Sequence, residues 1–359
     1  MKGLALIDSG QIDYIDLPEP ILEDEYGVIL KPLLVSPCTS DVHTIFHGGS
    51  KKKANLILGH ESVCQIIKIG KKVKDFKENE VVAVPAITPL WGSIDVQRGN
   101  ILHANAPFSG HQLGRTINGV FEEKLFFPNA DQNLAKIPLG VTLEQALMTV
   151  DVVSTGFTAV EEANVNIGDN VVVFGIGAIG LMAIQAANMS GAARIIAVGS
   201  RVKSIELAKY YGATDIINYK EGNVVDQIKK LNVKYGIDKV IICGGNDDTL
   251  RQAFDIVNYG TGVISNVMMF TGEGDMPIPK FSGGKGMCGK TLKMSLARGG
   301  RVRIEKLLEL VALKKFDPSL LITTKMYGIG KIKDALFFMK DNSKANIKIA
   351  IYMEEKNDN

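Results

Sequence analysis

The sequence predicts an α/β chain in which a doubly wound parallel sheet follows a smaller β-rich domain. Three observations carry that expectation. One short unit between Gly168 and Arg201 joins the apolar run Val171-Val172-Val173-Phe174, the turn Gly175-Ile176-Gly177-Ala178-Ile179-Gly180, a helical pattern, and a second apolar run, Ile195-Ile196-Ala197-Val198. Strand and helix patterns then alternate as far as residue 296. Before it, residues 1 to about 140 read as short strands and turns punctuated by Pro and Gly.

The central unit has a physical reading. A β-branched and aromatic run between turn signals makes a buried parallel strand. The three glycines suit a tight turn, close approach of backbone to a pyrophosphate, and close helix–strand packing, while the helix that opens there points its N–H groups at phosphate. Strand, glycine turn, helix and strand in one unit mark a Rossmann dinucleotide site; the alternative is a glycine-rich turn without a ligand. Past the second strand, where Asp or Glu would bind the ribose hydroxyls of NAD, the chain has Gly199-Ser200-Arg201. A hydroxyl and a guanidinium suit a 2′-phosphate, hence NADP, unless Arg201 only opens the next helix.

Candidate strands at 171–174, 195–198, 215–218, 239–242, 263–267 and 292–296, with helices at 204–210, 224–231 and 249–257, make the doubly wound sheet. Gly244-Gly245 and Asn266-Val267-Met268 fall at strand carboxyl ends, where such sheets bind ligands, so Val267 and Met268 join the cofactor candidates. Helices at 304–313 and 332–339 follow, and an alternating strand at 347–352 returns to the first domain. The expected domains are 1–153, 154–296, and the return, 297–359. In the first, residues 4–7, 26–30, 62–69 and 81–84 are strand-like.

Composition narrows the class. A chain of 359 residues suffices for two cores, and a net charge of +2 gives no electrostatic footprint for nucleic acid. The Lys51-Lys52-Lys53 run reads as a solvated loop and residues 354–359 as a disordered tail. No signal peptide or membrane-length apolar run is visible. Cys38, Cys64, Cys243 and Cys288 form no CxxC pair, which excludes a disulfide framework and a four-cysteine structural zinc site and fits a reducing cytosol.

Two segments concentrate chemistry: Ser36-Pro37-Cys38-Thr39-Ser40-Asp41-Val42-His43 and Leu58-Gly59-His60-Glu61; far along the chain stands Asp151. One Cys, one His and one carboxylate from separate segments would supply three metal ligands and leave a position open, as catalytic zinc requires. An inert buried Cys38, a satisfied His60 and a capping Asp explain the same spacing. Thr142-Leu143-Glu144-Gln145 is a capping-box start, so Asp151 is expected inside a helix, buried among Met148, Val150, Val152 and Val153, where its charge needs a partner: a metal ion or a basic side chain.

With these residues laid out, the chain resembles the zinc-dependent medium-chain alcohol dehydrogenases, most of all their microbial NADP-dependent secondary-alcohol branch. The likeness runs over nearly the whole length. It is carried by Pro37-Cys38-Thr39-Ser40-Asp41 with His43, Leu58-Gly59-His60-Glu61, Asp151, Gly175 to Gly180, Gly199-Ser200-Arg201 and Tyr219. The resemblance implies a GroES-like first domain, a homotetramer, and one catalytic zinc held by Cys38, His60 and Asp151 with Glu61 as a ligand that yields to substrate. It implies a proton relay through Ser40 and His43, an Asp41 that fixes His60, and Arg201, Ser200 and Tyr219 at the adenosine phosphate. Three positions depart from the family pattern: Cys64 replaces a glycine, Asn79-Glu80 replaces Gly-Asp, and Gly110-His111 replaces the Gly-Trp pair of the substrate pocket. Trp91 keeps its place in Thr88-Pro89-Leu90-Trp91 and lines that pocket or simply packs.

The function implied is hydride transfer between NADP(H) and a small secondary alcohol or ketone. The rivals are a primary-alcohol or aldehyde reductase with the same site, and a non-catalytic NADPH-binding protein. Retention of Cys38, Ser40, His43, His60 and Asp151 together speaks against the latter, as it does against a zinc-free quinone reductase.

Overall fold

The computed structural model describes residues 1–46, 55–270, 274–276, 278–341 and 346–355, so the Lys51-Lys52-Lys53 run and the tail beyond Glu355 lie outside the described residues. The chain forms two compact units: Met1–Ser154 together with Arg298–Asn359, and Thr155–Ala297.

The first unit opens with strands β1 (Lys2–Asp8), β2 (Gln11–Asp16) and β3 (Val28–Ser36), followed by helix α1 (Thr39–Phe46). Strands β4 (Leu56–Ile57), β5 (Glu61–Ile69), β6 (Val81–Val84) and β7 (Leu125–Phe127), the short helix α2 (Ala130–Asn133), strand β8 (Ala135–Lys136) and helix α3 (Leu143–Met148) complete its N-terminal part. The α3 start is the expected capping box: Thr142 Oγ1 accepts the Gln145 N–H at 3.2 Å, and Gln145 Oε1 accepts the Thr142 N–H at 3.0 Å. Strand β3 runs six residues past the expected segment, to Ser36, where Pro37 removes a ladder donor and ends it. Strand β2 was not expected: Gln11-Ile12-Asp13-Tyr14 alternates as a strand does, but the run is short and carries Asp13 and Asp16, a residue type that strands disfavour.

The second unit begins in helix α4 (Ser154–Ala163) and then alternates: β9 (Asn170–Phe174), α5 (Ala178–Met189), β10 (Arg194–Val198), α6 (Val202–Tyr210), β11 (Asp215–Ile217), α7 (Val224–Lys230), β12 (Lys239–Ile242), α8 (Thr249–Ile256), β13 (Val263–Asn266), β14 (Thr291–Met294). All six strands are parallel, in the order β11-β10-β9-β12-β13-β14. The order reverses at β9, which lies between β10 and β12, with Phe174 level with both Val198 and Ile242. That is the switch point at which an open α/β sheet leaves a crevice at its carboxyl edge. Val172, Ile196, Val240 and Ile264 fill the core beneath.

The chain returns to the first unit through α9 (Arg301–Ala312), β15 (Ile322–Tyr327), α10 (Lys331–Asp341) and β16 (Lys348–Tyr352). Strand β16 pairs with β15 in parallel and with β3 antiparallel, in the order β15-β16-β3-β5-β6-β8, with β7 also on β3. A separate sheet runs β2-β1-β4. Pairing Ser36 with Glu61 brings the loop after β3 and the start of β5 to the same edge of the sheet. Among the described residues no helix is long and apolar enough to cross a membrane.

Candidate functional site

The edge where β3 ends and β5 begins collects the chemistry. After Pro37 the chain turns into α1, and Asp41 in its first turn accepts the Cys38 N–H at 2.9 Å, fixing the Cys38 loop against the helix start. Gly59, at φ +91°, swings the chain into β5 and packs so tightly on the Phe121 ring that a side chain would clash with it. His60 and Glu61 are thereby buried at the strand entry. Asp151 sits in a π-helical turn, Thr149–Val153, between α3 and α4. The i→i+5 register there inserts an extra residue into an otherwise α-helical path, a device frequent at functional sites. The sequence expectation of a buried Asp151 needs correction: its side chain is 14% exposed, because the widened turn lifts it toward the cluster while Val150, Val152 and Val153 face the core.

Cys38, His60, Glu61 and Asp151 each present a ligand atom, and these atoms all lie within 4.8 Å of one another. Their chemistry, one thiol, one imidazole and two carboxylates, is that of a zinc site with mixed S, N and O donors. His60 Nδ1 lies 3.3 Å from Asp41 Oδ1, so its other nitrogen, Nε2, is the one turned to the cluster, 3.7 Å from Asp151 Oδ2 and 4.0 Å from Glu61 Oε1. A carboxylate on the far nitrogen of a ligand histidine is the usual orienting contact.

The electrostatics favour a positive charge in the cluster. Burial on its own would lower the proton affinity of His60, but the Asp41 carboxylate and hydrogen bonds that the ring donates to Asp151, Asp41 and Cys38 outweigh it, and the imidazole is held well above its ordinary value. Burial and the Asp151 charge push Glu61 up, against the pull of Lys348. For Asp41 the burial penalty is overcome by His60, so its carboxyl sits below the ordinary value. A cation placed among these groups relieves the crowding of the carboxylates.

Ser40 Oγ stands 3.4 Å from His60 Nε2, at the cluster itself. His43 lies one turn further along α1, half-buried, three residues from Ser40 and so on the same helix face. His111 packs edge-on against His60 with ring centroids 4.9 Å apart. Burial and the neighbouring His60 and Arg115 hold it far below the ordinary histidine value, hence neutral. Trp91 is tied elsewhere: its Nε1 donates to Asn133 Oδ1 at 3.0 Å, and its ring covers Gly300, the packing role open to it from sequence.

The dinucleotide candidates stand in the second unit as one backbone construction. Gly175 has φ +82°, and a Cβ there would lie 2.5 Å from Gly244 Cα. A Cβ on Gly180 would run into the Gly175 carbonyl oxygen, and one on Gly199 into Ile176. Ile176 therefore plugs the turn, and Gly177, Ala178 and Ile179 open α5 from an N-cap at Gly177 with no side chain over its N–H groups. Among the described residues the heavy atom that a Cβ built on Gly177 would meet is Arg201 Nη2, at 3.5 Å, so the guanidinium stands beside the turn. Arg201 is half-buried as the N-cap of α6, beside Ser200, and Tyr219 is close enough to offset part of the burial cost on its guanidinium. Val267 donates its N–H to Ile242 O at 3.1 Å, and Met268 O accepts from the Asn266 side chain at 2.8 Å; both are half-buried past the end of β13.

The alcohol dehydrogenase GroES-like domain family matches residues 24–139, and the zinc-binding dehydrogenase family matches residues 178–312. The NADP-dependent isopropanol dehydrogenase of Thermoanaerobacter brockii is 44% identical over 354 residues, 98% of this chain and 100% of that protein. The chain belongs to the zinc-binding alcohol dehydrogenases. The NADP-dependent isopropanol dehydrogenase of Entamoeba histolytica is likewise 44% identical, over 97% of this chain and 94% of its own. Among solved structures, the alcohol dehydrogenase TADH from Thermus sp. ATN1 shares the fold, with a TM-score of 0.84 at 24% identity over 98% of this chain and 99% of that one.

Within this family the departures have local explanations. Cys64 is fully buried in β5, its thiol 3.1 Å from Ser62 Oγ and pushed up to about 12 by burial, so it packs as an inert small apolar group. Asn79 takes the left-handed φ of +68° that the family glycine would supply, which asparagine tolerates better than other side chains. Sequence reasoning missed Lys348. Its Nζ lies 2.6 Å from Glu61 Oε2 and 3.3 Å from Pro37 O, fully inside the first unit. The signal was available: a lysine at an inward position of an alternating apolar strand is a buried charge that needs a partner.

Proposed function

We propose that the chain is a zinc-dependent oxidoreductase that transfers hydride between NADP(H) and a small secondary alcohol or the matching ketone. The observation that carries this reading is the convergence of the Cys38, His60, Glu61 and Asp151 donor atoms within 4.8 Å. That donor set supports a catalytic zinc at this place. Bound there, zinc would act as a Lewis acid on the substrate oxygen.

The chain's own residues do the rest. Asp41 orients His60 and fixes which of its nitrogens faces the cluster. Lys348 holds both oxygens of Glu61, at 2.7 and 2.6 Å, so that Glu61 has a second resting partner when it leaves the cluster. Ser40 Oγ takes up the alcohol proton in oxidation and returns it in reduction, and His43, on the same face of α1, carries it onward. In the second unit the Gly175–Gly180 turn lets backbone approach the pyrophosphate, and Ser200, Arg201 and Tyr219 hold the 2′-phosphate. Four free cysteines support a reducing cytosol as its location, and a homotetramer is what the resemblance of its motifs implies.

The test is NADPH oxidation by the zinc-loaded protein with acetone, run beside NADH and beside propanal. Faster turnover with NADPH and with the ketone is expected. Preference for NADH overturns the cofactor assignment, and preference for propanal gives an aldehyde reductase. Binding of NADPH without turnover gives a non-catalytic binder.

A further inference from the structure

We infer that Lys348 is a positioning residue of the metal site: it draws the Glu61 carboxylate off the metal and so sets how readily the fourth position opens to a substrate oxygen. The inference deepens the dehydrogenase reading and rests on its metal cluster.

The starting point is where Lys348 stands. Strand β16 pairs with β3 antiparallel, Ile351 against Val35 and Tyr352 against Leu34, and with β15 in parallel, Lys348 against Ile322. Followed past the end of β3, that register carries Lys348 to the Pro37-Cys38 turn. The side chain is buried there, with Nζ 2.7 Å from Glu61 Oε1, 2.6 Å from Glu61 Oε2 and 3.3 Å from Pro37 O. An ammonium has three protons, and these three acceptors use all of them. Strand pairing and the Pro37 carbonyl keep Nζ in place, so the ammonium does not follow the carboxylate toward the cluster.

The Glu61 carboxylate reaches both ways. Its Oε1 lies 4.0 Å from His60 Nε2, among the clustered donors, while both of its oxygens touch Lys348. Pairing with Ser36 fixes the backbone of Glu61 at the start of β5. Rotation about its own side-chain bonds therefore passes the carboxylate between the cluster and the ammonium.

Charge explains why the exchange needs a lysine. A divalent ion among the Cys38 thiolate and the Glu61 and Asp151 carboxylates leaves one negative charge in excess. A neutral alcohol or ketone that took the place of Glu61 would strand a fully buried carboxylate, which is costly without a partner. Lys348 is that partner, already in position, and it balances the excess charge. A purely structural ion pair behaves differently: its loss loosens the site whether or not residue 61 carries a charge.

Imidazole, a neutral ligand for the open position, reads the exchange through the visible absorption of the cobalt-substituted protein. Lys348→Met should weaken imidazole binding about tenfold to a hundredfold, the range for loss of a charge-assisted hydrogen bond, because Glu61 is then left to the metal alone. Adding Glu61→Gln to Lys348→Met should return the affinity to the wild-type level or above. Unchanged binding in Lys348→Met, or the same weakening in the double variant, overturns the inference. The wild type tests it without a substitution. A crystal structure of the zinc-loaded protein with imidazole on the metal should show Glu61 off the zinc and paired with Lys348. Glu61 still on the zinc, or turned away from Lys348, overturns the inference as well. A protein that takes up neither cobalt nor zinc overturns the metal cluster, and the dehydrogenase reading with it.

Discussion

The candidate metal cluster and the candidate dinucleotide turn are built in opposite ways. The turn in the second unit is contiguous: Gly175 to Arg201 supply its backbone, its helix start and its charged end. The cluster in the first unit draws Cys38, His60 with Glu61, and Asp151 from three segments, and the β3–β5 register with the π turn at Thr149–Val153 brings them together. A site made of backbone is written locally, because it needs glycines at fixed offsets. A site made of side chains is written in topology, and each member on its own reads as an ordinary core residue.

Substitutions should separate the two constructions. The largest effect is expected at a cluster member. Cys38→Ala should abolish stoichiometric zinc binding and lower turnover by about a thousandfold or more, because the ion supplies the polarisation of the substrate oxygen. Its affinity for NADPH, measured by fluorescence titration, should stay within about twofold, given that a single hydrogen bond is the smallest unit at stake in the other unit. Loss of both functions together would show that the two sites are not separate constructions. Next comes Asp41→Asn, which leaves the donors in place but loosens His60 and should weaken zinc affinity about 10–100-fold in competition with a chelator. Unchanged affinity would remove Asp41 from the account.

In the second unit, Arg201→Ala should raise the KM for NADPH by about tenfold to a hundredfold, the range for loss of charge-assisted hydrogen bonds, and leave that for NADH nearly constant. An equal rise for both cofactors would mean that Arg201 serves α6 alone.

The smallest effect concerns stability. Glu122 is almost wholly buried, its Oε2 has no hydrogen-bond partner among the described residues, and burial pushes its carboxyl up to about 8. In the unfolded chain the same group ionises near its ordinary value of 4.5. The fold therefore loses stability as pH rises from 4.5 toward 8, since only the unfolded state gives up the proton, and the loss levels off above that. Glu122→Gln should flatten this slope, raising the unfolding midpoint by several degrees (~5 °C) at pH 8 and by nothing below pH 4.5. Parallel pH profiles would mean that Glu122 is solvated.

Much of this was legible beforehand. The strand–turn–helix rhythm of the second unit is a pattern in residue type, so each of its six strands is centred on an expected segment. Strands β2 and β15 were not read from the sequence: β2 is a short hairpin partner of β1 that carries two Asp, and β15 holds its place by pairing with β16. The four donors could be named from residue type and family likeness, but spacing alone left them balanced against inert packing. The π turn that lifts Asp151 was invisible, because a shift in backbone hydrogen-bond register leaves no periodicity to read. The Lys348–Glu61 pair was hidden for a different reason: its partners are 287 residues apart.

The central claim is that three distant segments share one zinc ion. X-ray absorption at the zinc edge of the metal-loaded protein, with the metal counted per chain, tests it most directly. One zinc per chain is expected, with a single sulfur at about 2.3 Å and lighter N/O ligands at about 2.0–2.2 Å, and with the sulfur contribution lost in Cys38→Asp. Two ions per chain, or a shell without sulfur in the wild type, would contradict the account.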